Sequence, residues 1–407
     1  MMNLQPSSFH FVLKLSCVPY KPLLLCIRLR RNSDCQIKDL LGKKSMESKG
    51  SSLGTSLLVP CVQELAKEPL VTVPPRYICP DQDHPIVVVE DDAPLPEVTV
   101  IDMQRLHNQE SMDSELAKLH LACKEWGFFQ LVNHGVSSSL LERVKIQVQD
   151  FFNLPMEEKK KFWQNPGEVE GFGQTFVVSE EQKLDWSDIF FMVTQPVHLR
   201  KPHLFPMLPL PLRDTLDSYS SEVKNLAVAI LEQMAKVLKI RDEEMREIFT
   251  EGIWQSLRMN YYPPCPQPEK VIGLTPHSDG TGLTILLQIN DVEGLQIMKD
   301  GEWIPVKPLP NAFVVNIGDI MEIITNGTYS SILHRATVNS QKERLSIVAF
   351  HSPSYDGDIS PAPSLITKEM PALFKRITVK DFYKAFFSRE LRSKSYLDTL
   401  RIQHGEE

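Results

Sequence analysis

The amino-acid sequence predicts a mainly β protein with flanking helices, in which a jelly-roll or barrel core follows an N-terminal α/β region. From Trp254 onward, short runs of β-branched and aromatic residues follow one another, each bounded by Gly, Pro, Asn or Asp. About nine such runs within roughly a hundred residues are typical of two packed antiparallel sheets. Residues 211–240 differ, because their apolar side chains recur at spacings of three and four, which indicates a long supporting helix.

The chain before this helix alternates between strands and helices. The pattern predicts a strand at 98–102, a helix at 113–124, a buried strand at 128–135 and a helix at 137–152. Residues 166–183 contain Gly and Pro without a clear period, so we expect a loop there. Residues 378–402 return to helical spacing with an aromatic face, and we expect this helix and the loop to wall off the site from water.

These patterns divide the chain into four parts. Residues 1–45 form a basic extension, 46–97 a linker with a short helix, 98–240 a helical N-terminal region, and 241–407 the β domain with its C-terminal helix. The extension carries eight Lys or Arg against two Asp. Such a start is either an organelle-targeting peptide or, as we favour, a disordered or spurious extension with Met46 as the working start.

Composition argues against several classes of function. The net charge of −8 argues against nucleic acid or an acidic membrane as the main partner. The apolar stretch at 11–29 is interrupted by charged residues and prolines, whereas a membrane span needs about 20 mostly apolar residues. Seven cysteines without a CxxC pair predict neither a disulfide framework nor a zinc site. We therefore expect a cytoplasmic protein, a monomer or weak homodimer, that acts on a small molecule.

The strongest functional pattern is a set of metal ligands in the β domain. His277 and Asp279 are two apart in an extended segment, so they lie on one face, and His334 arrives from another strand. Two imidazoles and one carboxylate form the facial triad that leaves positions open on Fe(II) for O2 and a cosubstrate. Zinc with three protein ligands is the alternative, although no general-base carboxylate stands in a matching motif.

A second set of residues indicates a carboxylate-bearing cosubstrate. Arg344 and Ser346 follow His334 and lie two apart on one strand face, where a guanidinium can bind a carboxylate by two charge-assisted hydrogen bonds. A buried arginine would otherwise need a structural Asp or Glu opposite it. Tyr262 can add a phenol hydrogen bond, unless it is a plain core tyrosine, and Asn260 can hydrogen-bond the metal-side end. This set favours iron with a keto acid over hydrolytic zinc.

From Val98 to Ile402 the sequence resembles the plant 2-oxoglutarate/Fe(II)-dependent dioxygenases. The resemblance covers C-K-E-W-G-F-F-Q-L-V-N-H-G-V at 123–136 and the C-terminal motifs just described. Four further stretches resemble the senescence-related, norcoclaurine-synthase-like and alkaloid O-demethylase subgroup, namely V-P-P-R-Y, E-G-F-G-Q, L-D-W-S-D and H-L-R-K-P-H-L-F. The resemblance implies a double-stranded β-helix (jelly-roll) core, with Fe(II), 2-oxoglutarate and O2 as cofactors and ascorbate as activator.

The resemblance also assigns roles to residues. It implies that iron is held by His277, Asp279 and His334, and that 2-oxoglutarate is bound by Arg344, Ser346 and Tyr262. The sequence departs from its relatives at Gly280, where they often carry an aromatic or a small side chain. We expect this glycine to open space beside the metal, which leaves the substrate undefined.

Three bulky apolar residues near these motifs are candidates for the substrate pocket, namely Phe350, Phe176 and Met192. The predicted reaction is hydroxylation or O-demethylation of an aromatic plant metabolite of alkaloid or phenylpropanoid type. Two alternatives stay open at this point. One is an amine–aldehyde condensation of the norcoclaurine-synthase kind, and the other is a catalytically silent metabolite-binding protein.

Overall fold

One large sheet joins strands from both halves of the chain. The computed structural model describes residues 54, 56–67, 70–79, 96–250, 252–391 and 394–403, all within one compact unit. The strands in chain order are β1 Val100–Asp102, β2 Phe128–Val132, β3 Gly171–Gly173, β4 Asp188–Gln195, β5 Trp254–Tyr262, β6 Leu274–His277, β7 Leu283–Gln288, β8 Leu295–Lys299, β9 Glu302–Pro305, β10 Phe313–Ile317, β11 His334–Ala336, β12 Arg344–Ser352, β13 Asp358–Ile359 and β14 Ile377–Thr378. The α-helices are α1 Val62–Leu65, α2 Met103–His107, α3 Met112–Leu121, α4 Ser138–Asn153, α5 Met156–Lys159, α6 Leu210–Leu238, α7 Asp242–Met245, α8 Asp319–Ile324, α9 Val379–Phe386 and α10 Ser395–Thr399.

Two sheets face each other across an apolar layer. An eight-stranded sheet runs in the order β1-β2-β10-β7-β12-β5-β4-β3, and a four-stranded sheet in the order β6-β11-β8-β9. Phe128 and Val314 from the larger sheet share one buried cluster with Ile297 and Ile304 from the smaller sheet. The pairings are antiparallel except that of β1 with β2. This double-sheet arrangement confirms the predicted jelly-roll core.

The long helix α6 supports the larger sheet. It begins after Pro209 and ends at Lys239, whose backbone adopts the left-handed conformation (φ 56°). Its buried residues include Leu216, Val223 and Ile230, which recur every seven residues and so lie on one face. That face contacts β4, β5, β7 and β12. The predicted helix at 211–240 is therefore confirmed to within two residues at each end.

The C-terminal helix and the glycine-rich loop differ from the prediction. The loop at 166–183 contains the short strand β3, which pairs with β4. The helix predicted at 378–402 is divided into α9 and α10. The division allows the ammonium of Lys394 and the guanidinium of Arg401 to reach Glu322 of α8, at 2.7 and 2.8 Å. The C-terminal segment is thus fastened to the core at a point beyond α9.

The N-terminal arm, residues 56–67 and 70–79, is packed against the body of the protein. A linker with one short helix was predicted here, and the helix is present as α1, but these described residues are not a free connector. The carboxylate of Asp188 accepts hydrogen bonds from the backbone N–H groups of Val62 (2.8 Å) and Gln63 (2.7 Å). Tyr77 packs edge-to-face on Trp186, with ring centroids 5.3 Å apart. The sequence could not show this, because the partners lie more than a hundred residues away.

Two predictions about the ends of the domain layout stay predictions. The basic extension, residues 1–45, lies outside the described residues. The four-part division of the chain likewise stays a prediction.

Among the helices that the structure describes, none is both long and apolar enough to cross a membrane.

Candidate active site

The three predicted metal ligands converge on one buried point between the sheets. His277 ends β6 and His334 begins β11, and the two residues are register partners. Asp279 Oδ1 lies 3.5 Å from His277 Nε2 and 3.6 Å from His334 Nε2. One ligand atom from each of the three residues lies within 4.8 Å of the other two. Three ligand atoms at this separation can coordinate one metal ion and leave its other face open.

Hydrogen bonds to neighbouring residues orient all three ligands. The Nδ1–H groups of His277 and His334 donate to the backbone carbonyls of Thr275 (2.7 Å) and Ile332 (3.2 Å). This fixes the tautomer in which each Nε2 lone pair is available for a metal.

The carboxylate of Asp279 is oriented in the same way. Its Oδ2 accepts from the hydroxyl of Thr284 and the amide of Asn316, both at 2.7 Å. One oxygen is therefore occupied by donors, while Oδ1 faces the two imidazoles. A divalent cation fits this donor set.

The ionisation states also suit a metal. Burial would raise the pKa of Asp279, but the adjacent His334 and His277 and the hydrogen bond from Asn316 lower it well below its usual range. Burial, reinforced by the nearby His277, lowers the pKa of His334 to about 4. At neutral pH the site thus presents a carboxylate and a neutral His334 imidazole, which are the forms that bind metals.

A polar chamber of about 40 Å³ adjoins these ligands. Its lining includes Arg258, Asn260, Tyr262, His277, Asp279, His334, Arg344, Ser346 and Phe350. The two-strand pairing of β5 with β12 places Tyr262 opposite Arg344 and Asn260 opposite Ser346. The four residues predicted to bind the keto acid are therefore brought together in one cavity beside the metal ligands.

Arg344 is buried without an acidic partner. Its Nη2 donates to the side chain of Gln288 (3.1 Å), its Nε has no hydrogen-bond partner, and its guanidinium carbon lies 5.2 Å from the ring centroid of Tyr262. No carboxylate of the described residues lies within ion-pair distance of it. The structural Asp or Glu considered from the sequence is thus not found there. A dicarboxylate ligand would satisfy the unpaired Nε in the geometry that arginine prefers.

Asn260 bridges two neighbours. Its side-chain oxygen accepts from Arg258 Nε (2.7 Å) and its nitrogen donates to Ser346 Oγ (3.1 Å). Both ends of the amide are engaged, and its predicted contact with the keto acid stays a prediction. Arg258 was missed from the sequence, although strand alternation places 258, 260 and 262 on one face.

A second, aromatic chamber, also about 40 Å³, adjoins the metal ligands His277 and Asp279. Its lining includes Phe176, Phe191, Trp254, His277, Asp279, Gly280, Phe350, Tyr383, Phe386 and Phe387. Phe350 and Arg258 line both chambers. The loop at 166–183 and α9 contribute walls, as the sequence predicted.

Two expectations about this chamber are wrong. Met192 is fully buried but does not line it; strand alternation turns its neighbour Phe191 toward the chamber and Met192 toward the opposite face of β4. Gly280 does not open space, because ring carbons of Phe386 lie 2.7 to 2.9 Å from where its Cβ would be. The sequence cannot show the second, since α9 lies a hundred residues further along the chain than Gly280.

The L-D-W-S-D stretch supports the site from outside. Asp185 accepts hydrogen bonds from the backbone N–H (3.0 Å) and hydroxyl (2.6 Å) of Thr275, whose carbonyl holds His277. Trp186 Nε1 donates to the carbonyl of Pro263 (3.2 Å), and Asp188 holds the N-terminal arm. Asp185 thus positions the residue that orients a metal ligand, while Trp186 and Asp188 fasten segments further from the metal.

A buried site of two histidines and one aspartate, joined to a chamber with an unpaired guanidinium, defines a non-haem iron enzyme that uses a 2-oxo acid. Comparison with protein families agrees. Residues 253–353 match the 2OG-Fe(II) oxygenase superfamily, and residues 98–208 match the family described as non-haem dioxygenase in morphine synthesis N-terminal. The chain belongs to the 2OG-Fe(II) oxygenase superfamily.

Similar proteins cover almost the whole chain. Protein SRG1 of Arabidopsis thaliana is 61% identical over 88% of this chain and 100% of its own length. Oxoglutarate-dependent flavonoid 7-O-demethylase 1 of Ocimum basilicum is 54% identical over 88% of this chain and 95% of its own length. Thebaine 6-O-demethylase of Papaver somniferum is 54% identical over 88% and 100%, respectively.

A solved structure supports the same conclusion. The crystal structure of JOX2 in complex with 2OG, Fe and JA superposes with a TM-score of 0.77 at 37% identity, covering 84% of this chain and 98% of that one. The predicted family, fold class, enzyme class and iron and 2-oxoglutarate cofactors are confirmed.

Proposed function

We propose that this enzyme oxidises an aromatic plant specialised metabolite of alkaloid or phenylpropanoid type, by hydroxylation or by removal of an aryl O-methyl group. The observation that carries the proposal is the aromatic chamber, in which seven aromatic side chains adjoin the metal ligands, namely Phe176, Phe191, Trp254, Phe350, Tyr383, Phe386 and Phe387. Flat aromatic rings pack well against such walls. The similarity to flavonoid and thebaine O-demethylases supports the same substrate class.

In this proposal each chamber holds one reactant. His277, Asp279 and His334 hold Fe(II), and Arg344, Ser346 and Tyr262 bind the distal carboxylate of 2-oxoglutarate. When bound, iron with 2-oxoglutarate supplies an O2-dependent oxidation of a C–H bond, with succinate and CO2 as coproducts. The aromatic walls orient the substrate carbon toward the metal ligands and exclude water. For an aryl methyl ether the remaining products are a phenol and formaldehyde, which balances the reaction.

The test is turnover of a panel of O-methylated flavones and alkaloids with Fe(II), 2-oxoglutarate and ascorbate. We expect succinate together with either formaldehyde and loss of a CH2 unit, or gain of one oxygen atom. His277→Ala should abolish turnover, whereas His203→Ala, a change of a partly exposed histidine outside both chambers, should retain it. Equal turnover by His277→Ala and the unaltered enzyme would contradict the metal assignment.

The same assay separates the two alternatives. Product that forms without O2 or 2-oxoglutarate would indicate amine–aldehyde condensation. A folded protein that binds metabolites but forms no succinate would indicate the silent class. The silent class is the less favoured, since a protein without turnover has no need for an unpaired buried guanidinium.

We further propose that the enzyme is a monomer or weak homodimer in the cytoplasm and that ascorbate activates it. Because the net charge is acidic, nucleic acid and membranes are not proposed partners. Size-exclusion chromatography at micromolar concentration tests the oligomeric state, a fluorescent fusion of the full chain tests the compartment, and turnover with and without ascorbate tests the activation. A stable higher oligomer or clean plastid import would contradict them.

A further inference from the structure

Gly280 touches an aromatic ring of the C-terminal helix α9. A Cβ on Gly280 would lie 2.7 Å from Cε2 and 2.8 Å from Cζ of Phe386, closer than carbon atoms approach without displacement. The backbone does not require a glycine here, because Gly280 is not among the residues with positive φ. The ring of Phe386 therefore accounts for the glycine that directly follows the metal-binding Asp279.

Phe386 differs in its attachment from other walls of the aromatic chamber. Phe191, Trp254 and Phe350 lie on strands of the eight-stranded sheet, whereas Phe386 is the last residue of α9. Its side chain is only partly buried, as is that of Phe350. It packs edge-to-face on Phe176, with centroids 5.4 Å apart. The end of a short helix opens at lower free energy than a central strand. Phe386 is therefore a wall residue that can move without breaking the sheet.

The chamber is small while the ring is in place. Its volume, about 40 Å³, equals that of the polar chamber, to which the proposed function assigns 2-oxoglutarate, a five-carbon diacid. A methoxyflavone has about twice as many heavy atoms as that diacid and needs a larger pocket. A single methoxybenzene ring is closer to that diacid in size. A multi-ring substrate would therefore need the chamber to enlarge, and Phe386 is a wall that can move.

On the basis of the proposed function, we propose that Phe386, seated on Gly280, sets the size of substrate that the enzyme accepts. With the ring on Gly280 the chamber takes one-ring substrates, and withdrawal of the ring admits multi-ring ones. A side chain at 280 displaces the ring and holds the chamber open. Gly280 and Phe386 thus determine specificity together, because the ring of Phe386 packs directly against the backbone of Gly280.

A double-mutant cycle read by hydrogen exchange tests the contact without substrate. In the full-length protein, Gly280→Ala should speed amide exchange in residues 379–387 about tenfold, the scale of one overpacked contact. In the Phe386→Ala background the same change should have almost no effect, because the ring that it displaces is gone. Equal acceleration in both backgrounds, or none in either, overturns the contact. Phe386→Leu serves if Phe386→Ala does not fold, and should give an intermediate result.

Steady-state kinetics test the specificity. For an O-methylated flavone relative to methoxybenzene, the ratio of kcat/KM should rise about tenfold in Phe386→Ala and in Gly280→Ala. Turnover of these ethers with an unchanged ratio in both variants overturns this inference and leaves the proposed function intact. Turnover of neither ether by any variant overturns the proposed function and this inference with it.

Discussion

The guanidinium of Arg344 is buried between the sheets with an unpaired Nε and no counterion among the residues that the structure describes. An uncompensated buried charge is costly, so the fold retains it at the expense of stability. Burial also lowers the pKa of Arg344, although an arginine stays protonated. A ligand that brings its own carboxylate removes the cost. At the residue scale, then, the strongest sign of a keto acid is an unsatisfied donor.

Replacing Arg344 by lysine should weaken 2-oxoglutarate binding. A lysine keeps the positive charge but loses the planar fork, so the KM for 2-oxoglutarate should rise about tenfold to a hundredfold. Succinate formation over a range of 2-oxoglutarate concentrations measures this. The control is Arg376→Lys, which changes an exposed arginine paired with Asp358. An unchanged KM in Arg344→Lys would remove this residue from the binding site.

Thr284 offers a second test, because its hydroxyl holds the metal-binding carboxylate. It donates to Asp279 Oδ2 at 2.7 Å from the neighbouring strand β7. Thr284→Val keeps the shape and removes the donor, so affinity for Mn(II), used in place of Fe(II), should fall about tenfold to a hundredfold. Titration calorimetry measures it, with Thr337→Val at the rim of the smaller sheet as control. Unaltered affinity would mean that Asn316 alone orients the carboxylate.

Helix α8 links the metal site to the C-terminal segment. The backbone N–H of Asp319, its first residue, donates to the carbonyl of Asp279 (2.7 Å). Three residues on, Glu322 binds Lys394 and Arg401. The first residue of α8 is therefore hydrogen-bonded to the metal ligand Asp279, and a residue near the middle of α8 binds the chain beyond α9. At the element scale, it connects the metal ligands to the segment that follows α9.

Asp319 gives this helix a pH dependence. Burial raises the pKa of its carboxyl group from 3.8 to about 7. A group with a raised pKa stabilises the fold below its unfolded pKa, and that contribution is lost as pH rises through the folded value. The free energy of unfolding should thus fall between pH 3.8 and about pH 7, by up to about 4 kcal/mol from this group.

Asp319→Asn should remove that pH dependence. An amide cannot ionise, so the variant should gain stability relative to the unaltered protein as pH rises from 3.8 to about 7, with no further gain above that. Urea unfolding at acidic and alkaline pH measures the difference. The exposed Asp356→Asn is the matched control and should track the unaltered protein. A constant difference between Asp319→Asn and the unaltered protein at all pH values would contradict the raised pKa.

The sequence predicts elements better than their contacts. The helix at 211–240 is visible because its own spacing of apolar residues defines a buried face. The packing of the N-terminal arm is not visible, because a short helix among prolines looks like a linker. Only the structure shows that the carboxylate of Asp188 caps this helix. The break between α9 and α10 is hidden for the same reason. The segment after the break binds Glu322, and local spacing carries no information about where that residue lies.

Across the whole molecule, the reaction centre was predictable and the pocket was not. His277, Asp279, His334 and Arg344 are each of a chemically demanding type, and strand alternation with motif spacing suffices to bring them together. The pocket is bounded by side chains from α9 and the loop at 166–183, whose approach depends on tertiary packing. Gly280 illustrates the limit. In the sequence this glycine suggests open space beside the metal, whereas in the fold the ring of Phe386 packs against it.

Ligand-linked stability should show that the metal and 2-oxoglutarate bind at two separate sites. Because the ligands join β6, β11 and β12 from both sheets, binding to the folded state alone should raise the free energy of unfolding, by about 3 kcal/mol at a hundred times the dissociation constant. Thermal unfolding with Mn(II), with 2-oxoglutarate and with both measures the increments. Arg344→Lys should lose the increment that 2-oxoglutarate adds and keep that of the metal. Thr284→Val should lose mainly the metal increment, and equal loss of both increments in both variants would contradict two separable binding sites.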